Sequence, residues 1–286
     1  MSRSLTALAA VATGVVLLAV GAGGAFAGSQ SSSTASATSA KDTLAAIKKR
    51  GVLNVGVGLY SPQSAQTPGG KLTGIDIDII NRYARSLGVK VKYTVVGYDI
   101  IVAGLQTGKW DMTTALITSA ERKKVAAFSS PTYTVDQLYF VRADSPHRTI
   151  ADLNKPSVTI INVVGSYDEQ VRAKYLPNST SHAVAGMSQA QYIAEVMSGR
   201  ADAGNVETPF TTIRMQRQFG NQIRFIPDVT KGGKPLETSP VAYALPKGDL
   251  KFKKSMNKFL GQLRKAGTID KIFKKYTALL LGPIKD

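Results

Sequence analysis

The chain has 286 residues, with 36 Lys plus Arg against 19 Asp plus Glu, a formal net charge of +17 and no cysteine. Without cysteine there is no thiol chemistry, no disulfide and no cysteine-ligated metal cluster. The basic balance alone would suit nucleic acid or an anionic membrane, but Lys251, Lys253, Lys254 and Lys258 fall on the polar face of a helical pattern. With no interleaved aromatic ladder and no long basic tail, a solvated surface accounts for the charge.

Arg3, an apolar run over residues 5–20, and Ala25, Phe26 and Ala27 in an A-x-A pattern form the layout of a cleaved export signal over residues 1–27. Thr6, Thr13 and Gly14 dilute the run and no basic stop-transfer flank follows, which argues against a membrane anchor. Residues 28–40 are almost all Ser, Thr, Ala and Gly, too poor in large apolar groups to offset ordering entropy, and are predicted to be a flexible linker. About 245 residues remain, enough for two cores. A lipid-anchored form would need a cysteine after the signal, so a freely diffusing periplasmic protein is expected.

Strand and helix signals then alternate. Leu53, Val55 and Val57, and later Val89, Val91, Tyr93 and Val95, show the period of a strand with one wet face. Between them Ile79, Ile80, Tyr83, Ala84 and Leu87 recur at helical spacing, stopped by Gly88. A helix is predicted from Ile100 to Gly108 and a strand over residues 111–116. The grammar restarts with a nearly continuous apolar run over residues 158–164, the mark of a strand covered on both faces. Helices are predicted over residues 168–175 and from Tyr192 to Gly199. Two such blocks predict two α/β lobes with parallel sheets. The extended apolar stretches 137–142 and 241–245 are read as paired hinge strands. Final helices carrying Phe252, Met256, Phe259, Leu260 and Leu263, then Ile269, Ile272, Phe273 and Tyr276, are predicted to return to the first lobe. The boundaries are 41–137 for the first part of lobe 1, 138–240 for lobe 2 with hinge strands at its ends, and 241–286 for the return segment.

Motifs for catalysis or cofactors do not emerge. Gly104 to Lys109 mimics a phosphate loop but is one residue short and lacks the Ser or Thr for magnesium. Gly56-Val57-Gly58 lacks the third glycine of a dinucleotide fingerprint, and His147 and His182 have no companion at ligand spacing. No catalytic residue, metal ligand or cofactor is predicted.

The stretches VLNVGVG (52–58), GIDIDI (74–79), LQTGKWD (105–111), ITSAERKKVAAFSSPTY (117–133), IADLNKPSV (150–158), VVGSYDE (163–169) and GRADAGNVETP (199–209) run in an order and spacing that resembles the family 3 bacterial solute-binding proteins, the polar amino-acid class, over the length after the linker. The resemblance implies a type II periplasmic-binding-protein fold, with a two-strand hinge and a ligand closed between the lobes. It also implies a small-molecule partner, here an amino acid or related zwitterion, delivery to an ABC transporter permease in the inner membrane, and a monomer. Arg122 stands where the family grips the ligand carboxylate, and a guanidinium fork matches a carboxylate bidentately. Thr118 or Ser119 should donate to the same carboxylate; the stretch from Asp111 to Arg122 is one residue shorter than the family pattern. Gly165, Ser166 and Tyr167 lie between strand and helix, where backbone N–H groups and the helix dipole favour an anion; the family commonly has threonine at Tyr167. Glu207 replaces the aspartate that pairs with the ligand ammonium, and Tyr60 and Tyr98 stand where the family places aromatic rings over the ligand. The resemblance extends to a periplasmic cyclohexadienyl dehydratase, so an enzyme on this scaffold with Glu207 as proton donor is the alternative. A ligand-sensing partner of a membrane receptor is another.

Overall fold

Apolar periodicity and capping set most of the elements seen in the computed structural model, which describes residues 42–281; the predicted signal (1–27) and linker (28–40) lie outside the described residues. The first lobe begins with α1 (Thr43–Arg50), β1 (Val52–Val57), the short β2 (Ala65–Gln66) and β3 (Leu72–Thr73), α2 (Ile75–Ser86), β4 (Lys90–Val95) and α3 (Tyr98–Gln106). It continues with β5 (Met112–Thr113), β6 (Ala115–Ile117), α4 (Ala120–Val125) and β7 (Ala126–Phe128). The long β8 (Tyr133–Arg142) leads into the second lobe: α5 (Ile150–Leu153), β9 (Thr159–Val163), α6 (Tyr167–Tyr175), β10 (Thr180–Val184), α7 (Gln189–Met197), β11 (Ala203–Glu207), α8 (Phe210–Phe219) and β12 (Ile223–Ile226). β13 (Thr238–Pro246) returns to the first lobe, which α9 (Leu250–Lys265) and α10 (Thr268–Leu281) complete. No helix among the described residues is long and apolar enough to cross a membrane.

In the first lobe β4, β1 and β5 form a parallel sheet with Val55 opposite Tyr93 and Met112. α2 buries Ile75, Ile79, Ile80, Tyr83 and Ala84, a stripe one helical face wide. The core beneath joins the two ends of the chain: Leu53, Val55 and Ile79 pack with Phe252, Met256 and Leu260. Trp110 fills a hollow between α3 and β1, its Nε1 donating to the Ile101 carbonyl at 2.9 Å. A Cβ on Gly104 would lie 2.0 Å from its ring, and one on Gly56 2.7 Å. The phosphate-loop mimic is thus the end of α3, with Gly104 cut away for an indole.

The second lobe stacks β10, β9, β11 and β8 in order, with β12 along β8. One face buries Phe140, Ile161, Ile193 and Val206, and another Tyr139, Ile160 and Val171. A single sheet therefore has cores on both sides, which explains the unbroken apolar run of β9.

The lobes are joined where β8 pairs antiparallel with β13, from Tyr133 opposite Val241 to Asp136 opposite Thr238. The stretches 137–142 and 241–245, expected to pair with each other, lie one in each lobe. Leu138 and Val141 pair with β11, while Ala244 and Leu245 pair with β7. Their apolar runs mark the halves buried in each lobe. The crossing point is wetter, with Thr134 and Thr238 exposed, so it carries no apolar signal.

Candidate functional site

A cavity enclosing about 970 Å³, mouth included, lies between the lobes. The first lobe supplies the loop after β1 with Tyr60 and Gln63, Tyr98 at the start of α3, all of β6, and Arg122. The second supplies Ser166, Tyr167 and Asp168 at the start of α6, Tyr192 of α7, Asn205 to Glu207 of β11, and Thr211 of α8. These positions follow from the topology, because strand ends and helix starts of an α/β lobe converge on one edge.

Arg122 is buried, 7% exposed, one turn into α4, whose N-cap Ser119 accepts from the Arg122 backbone N–H at 3.2 Å. Its Nη1 donates to the Ile117 carbonyl at 3.1 Å and its Nη2 crosses to the Gly165 carbonyl of the second lobe at 3.0 Å. Burial lowers its pKa from the usual guanidinium value, while Tyr98, Glu207 and Asp168 nearby support the charge. A second bridge between lobes joins the Tyr60 and Thr211 hydroxyls at 2.8 Å. Gly165 itself, at φ +74°, lets the chain pass close to the first lobe: a Cβ there would lie 2.5 Å from the backbone N and Cα of Asp99.

Glu207 closes β11, and its pKa is raised to about 8, first by burial and then by Asp168. The neighbouring Gln137 amide, Arg122 and the Tyr60 hydroxyl temper that rise. Gln137 lies opposite Glu207 in the β8–β11 pair, but neither of its side-chain polar atoms reaches a partner at hydrogen-bond geometry. Asp168 is raised to about 7 by burial, with the Ser166 hydroxyl and Arg122 opposing. Asp76 of α2 is also raised to about 7 by burial, although it accepts from the Ala115 N–H at 3.0 Å and the Tyr243 hydroxyl at 3.2 Å.

Of the nine residues singled out from the sequence, Tyr60, Tyr98, Arg122, Ser166, Tyr167 and Glu207 line this cavity; Thr118, Ser119 and Gly165 do not. The Thr118 N–H is taken by the Pro240 carbonyl at 3.0 Å, and Ser119 caps α4. Bonding to the partner alternates along an antiparallel pair. Ile117, between them and the cavity, therefore turns its N–H and C=O away from β13, towards the side on which its carbonyl meets Arg122. Gly165 contributes its carbonyl to Arg122. The Tyr167 hydroxyl points elsewhere, to Glu237 at 2.5 Å, where Tyr175 also donates at 2.9 Å. Sequence reasoning missed Gln63, Asp76, Tyr133, Asp168, Tyr192 and Thr211. Asp76 and Asp168 sit inside stretches that carried the resemblance, and their burial was the missing signal. His182 lies on β10, 3.9 Å from Glu195, away from the cavity.

Residues 53–278 match the model of the bacterial extracellular solute-binding proteins, family 3, and the chain belongs to that family. The L-cystine-binding protein TcyA of Bacillus subtilis is 27% identical over 96% of this chain and 97% of its own. The lysine/arginine/ornithine-binding periplasmic protein of Escherichia coli is 26% identical over 76% of this chain and 84% of its own. Among solved structures, the ancestral amino acid-binding protein AncCDT-1, a precursor of cyclohexadienyl dehydratase, is 32% identical with a TM-score of 0.71, covering 82% of this chain and 99% of that one. An ancestral arginine-binding protein bound to arginine is 29% identical with a TM-score of 0.69, covering 79% and 98%.

Proposed function

We propose that this protein captures an α-amino acid outside the cytoplasm and delivers it to an ABC transporter permease, and that the ligand is held as a zwitterion between Arg122 and Glu207. The observation that carries this reading is the placement of a buried guanidinium on one lobe and a carboxyl on the other, facing one cavity. Arg122 takes the carboxylate, with the Ile117 N–H as the first-lobe backbone donor in place of Thr118 or Ser119, and the start of α6 supports it from across the cleft. Glu207 takes the ammonium, and Tyr60 and Tyr98 cover the ligand. Similarity to amino-acid-binding proteins supports the ligand class. The export-signal pattern and the absence of cysteine support release into the periplasm after cleavage behind Ala27.

The test is a thermal-shift screen of the chain from residue 28, refolded free of co-purified ligand, against the amino acids and related acids and amines. A ligand at 100 times its Kd stabilises by about 2.7 kcal/mol, raising Tm by roughly 5 to 10 °C for a chain of this size. Failure of every α-amino acid to shift Tm would reject the reading.

The raised pKa of Glu207 is the one observation favouring the dehydratase alternative, because a carboxyl protonated near neutrality can donate a proton. A ligand ammonium beside Glu207 draws it back to the ionised form, so no turnover is expected. Aromatic product from prephenate or arogenate, formed in proportion to protein and lost in Glu207→Gln, would establish the enzyme instead.

A further inference from the structure

Tyr167 lines the cavity but spends its hydroxyl elsewhere. It opens α6, where the resemblance leads one to expect threonine, and donates to Glu237 at 2.5 Å. Glu237 immediately precedes β13 and is fixed there, its carbonyl accepting from the Gln137 N–H of β8 at 2.9 Å. Its carboxylate also takes the Lys174 ammonium at 2.5 Å and the Tyr175 hydroxyl at 2.9 Å, both from the last turn of α6. Burial raises the Glu237 pKa, but Lys174 and the two tyrosine hydroxyls outweigh it and hold the group below its usual value. Glu237 is thus a charged anchor that ties both ends of α6 to the strand leaving the second lobe.

The ring has a different partner. It packs against the buried cluster of Ile117, Val135 and Val241. Val241 lies opposite Ile117 on one side and Tyr133 on the other, so the cluster sits where β13 is flanked by β6 of the first lobe and by β8 at the crossing. The Ile117 carbonyl holds one arm of Arg122, and the carbonyl of Gly165, two residues before Tyr167, holds the other. A second-lobe side chain therefore rests on first-lobe and crossing residues at the seam that Arg122 spans. The ring contact needs the lobes together, whereas the bond to Glu237 lies on the second-lobe side of the crossing and persists when they part.

Resting on closure of the Arg122–Glu207 clamp, we infer that Tyr167 is a positioning residue that braces the closed form, its ring held by Glu237 in the orientation that seats it on the Ile117–Val135–Val241 cluster when the lobes meet. Fixing the ring beforehand removes the entropy cost of ordering it at closure. A threonine would offer a hydroxyl to the cavity but would neither reach Glu237 nor cover the cluster. Because the amino acid enters the open form and leaves through it, the brace slows release and leaves encounter unchanged.

Stopped-flow kinetics of the chain from residue 28 test this, with whichever standard L-amino acid shifts Tm most as the probe. Tyr167→Thr, which loses ring and anchor together, should release the probe about 10-fold faster, with association within about twofold of wild type. Tyr167→Phe keeps the ring and loses the anchor, so its release should quicken by roughly 3- to 5-fold. Glu237→Ala should match it, and adding Tyr167→Phe to Glu237→Ala should change release no further, as expected of two partners in one interaction. Additive effects in that double variant would overturn the anchor. A role confined to second-lobe stability would lower Tm and leave the release rate of Tyr167→Thr at the wild-type value, which would overturn the brace and spare the clamp. Failure of every standard L-amino acid to bind wild type would overturn the clamp and the inference with it.

Discussion

Arg122 holds its guanidinium in a buried position with two hydrogen bonds among the described residues, to the Ile117 and Gly165 carbonyls, so donors remain for a carboxylate. Removing it should leave that carboxylate desolvated without a partner, weakening binding by about 3 to 5 kcal/mol, or more than a hundredfold in Kd. Arg122→Lys should restore only part, since a point charge cannot make two parallel bonds. Titration of the best amino acid against both variants checks this, and wild-type affinity in Arg122→Ala would reject the clamp. Glu207 gives the site a pH dependence of defined sign. Below its raised pKa of about 8 it carries a proton, whereas an ammonium pairs with the ionised form. Uptake therefore expels a proton, and affinity should fall as pH is lowered from about 8 to about 6. Calorimetry in buffers of different ionisation enthalpy should show proton release at pH 7 that diminishes in Glu207→Gln; its absence in wild type would contradict the pairing. At this scale the sequence made Arg122 and Glu207 legible because charge type survives any uncertainty of position. Ile117, the donor proposed in place of Thr118 or Ser119, was not legible, because a backbone direction is set by pairing with Val241. The Tyr60–Thr211 bond spans 151 positions and leaves no local trace.

Elements were legible where burial is one-sided and periodic. β1, β4, α2, α9 and α10 follow their apolar stripes to within a few residues, and the capping of α6 by Ser166 and of α7 by Ser188 reinforces their starts. β10 was missed because it is an edge strand with the mostly polar sequence TSHAV, and α8 because FTTIRMQRQF buries only Phe210, Thr211 and Met215. Trp110 shows what packing adds to propensity. Glycine inside a helix is disfavoured against alanine by about 0.8 to 1 kcal/mol, so propensity alone predicts that Gly104→Ala stabilises α3. The added Cβ would lie 2.0 Å from the buried indole, however, and overpacking costs about 1 to 3 kcal/mol. The steric cost outweighs the gain in helix propensity, and Gly104→Ala should lower stability in urea unfolding; an increase would mean that Trp110 can move aside.

For the molecule as a whole, the contacts that matter are those made across the cleft. Arg122 to Gly165 and Tyr60 to Thr211 join the lobes, and Phe210 of α8 packs on Phe273 of α10 with ring centroids 5.8 Å apart. Rigid lobes on the β8–β13 crossing should close on ligand as near-rigid bodies. Scattering measurements should show a smaller radius of gyration with the best ligand than without. Gly165→Ala tests the approach itself, since its Cβ would strike the Asp99 backbone of the opposite lobe, and φ +74° disfavours any side chain. The expected result is a ligand-independent radius and weakened binding with only a modest fall in Tm; normal compaction in the variant would show that the lobes meet elsewhere.

The core of the first lobe is stitched from both ends of the chain, with Leu53 and Val55 sealed by Phe252 and Leu260, whereas the second lobe lies within one continuous stretch between β8 and β13. Order of folding follows from that asymmetry. As the polypeptide emerges from its N-terminus, the second lobe has all its parts once β12 is out and can form as a unit. The first lobe must wait for α9, holding its early strands without a finished core for some two hundred residues of synthesis. For the export proposed above, in which a chain threads a membrane channel unfolded, that delay is an advantage: the leading segment cannot lock until the trailing one is complete.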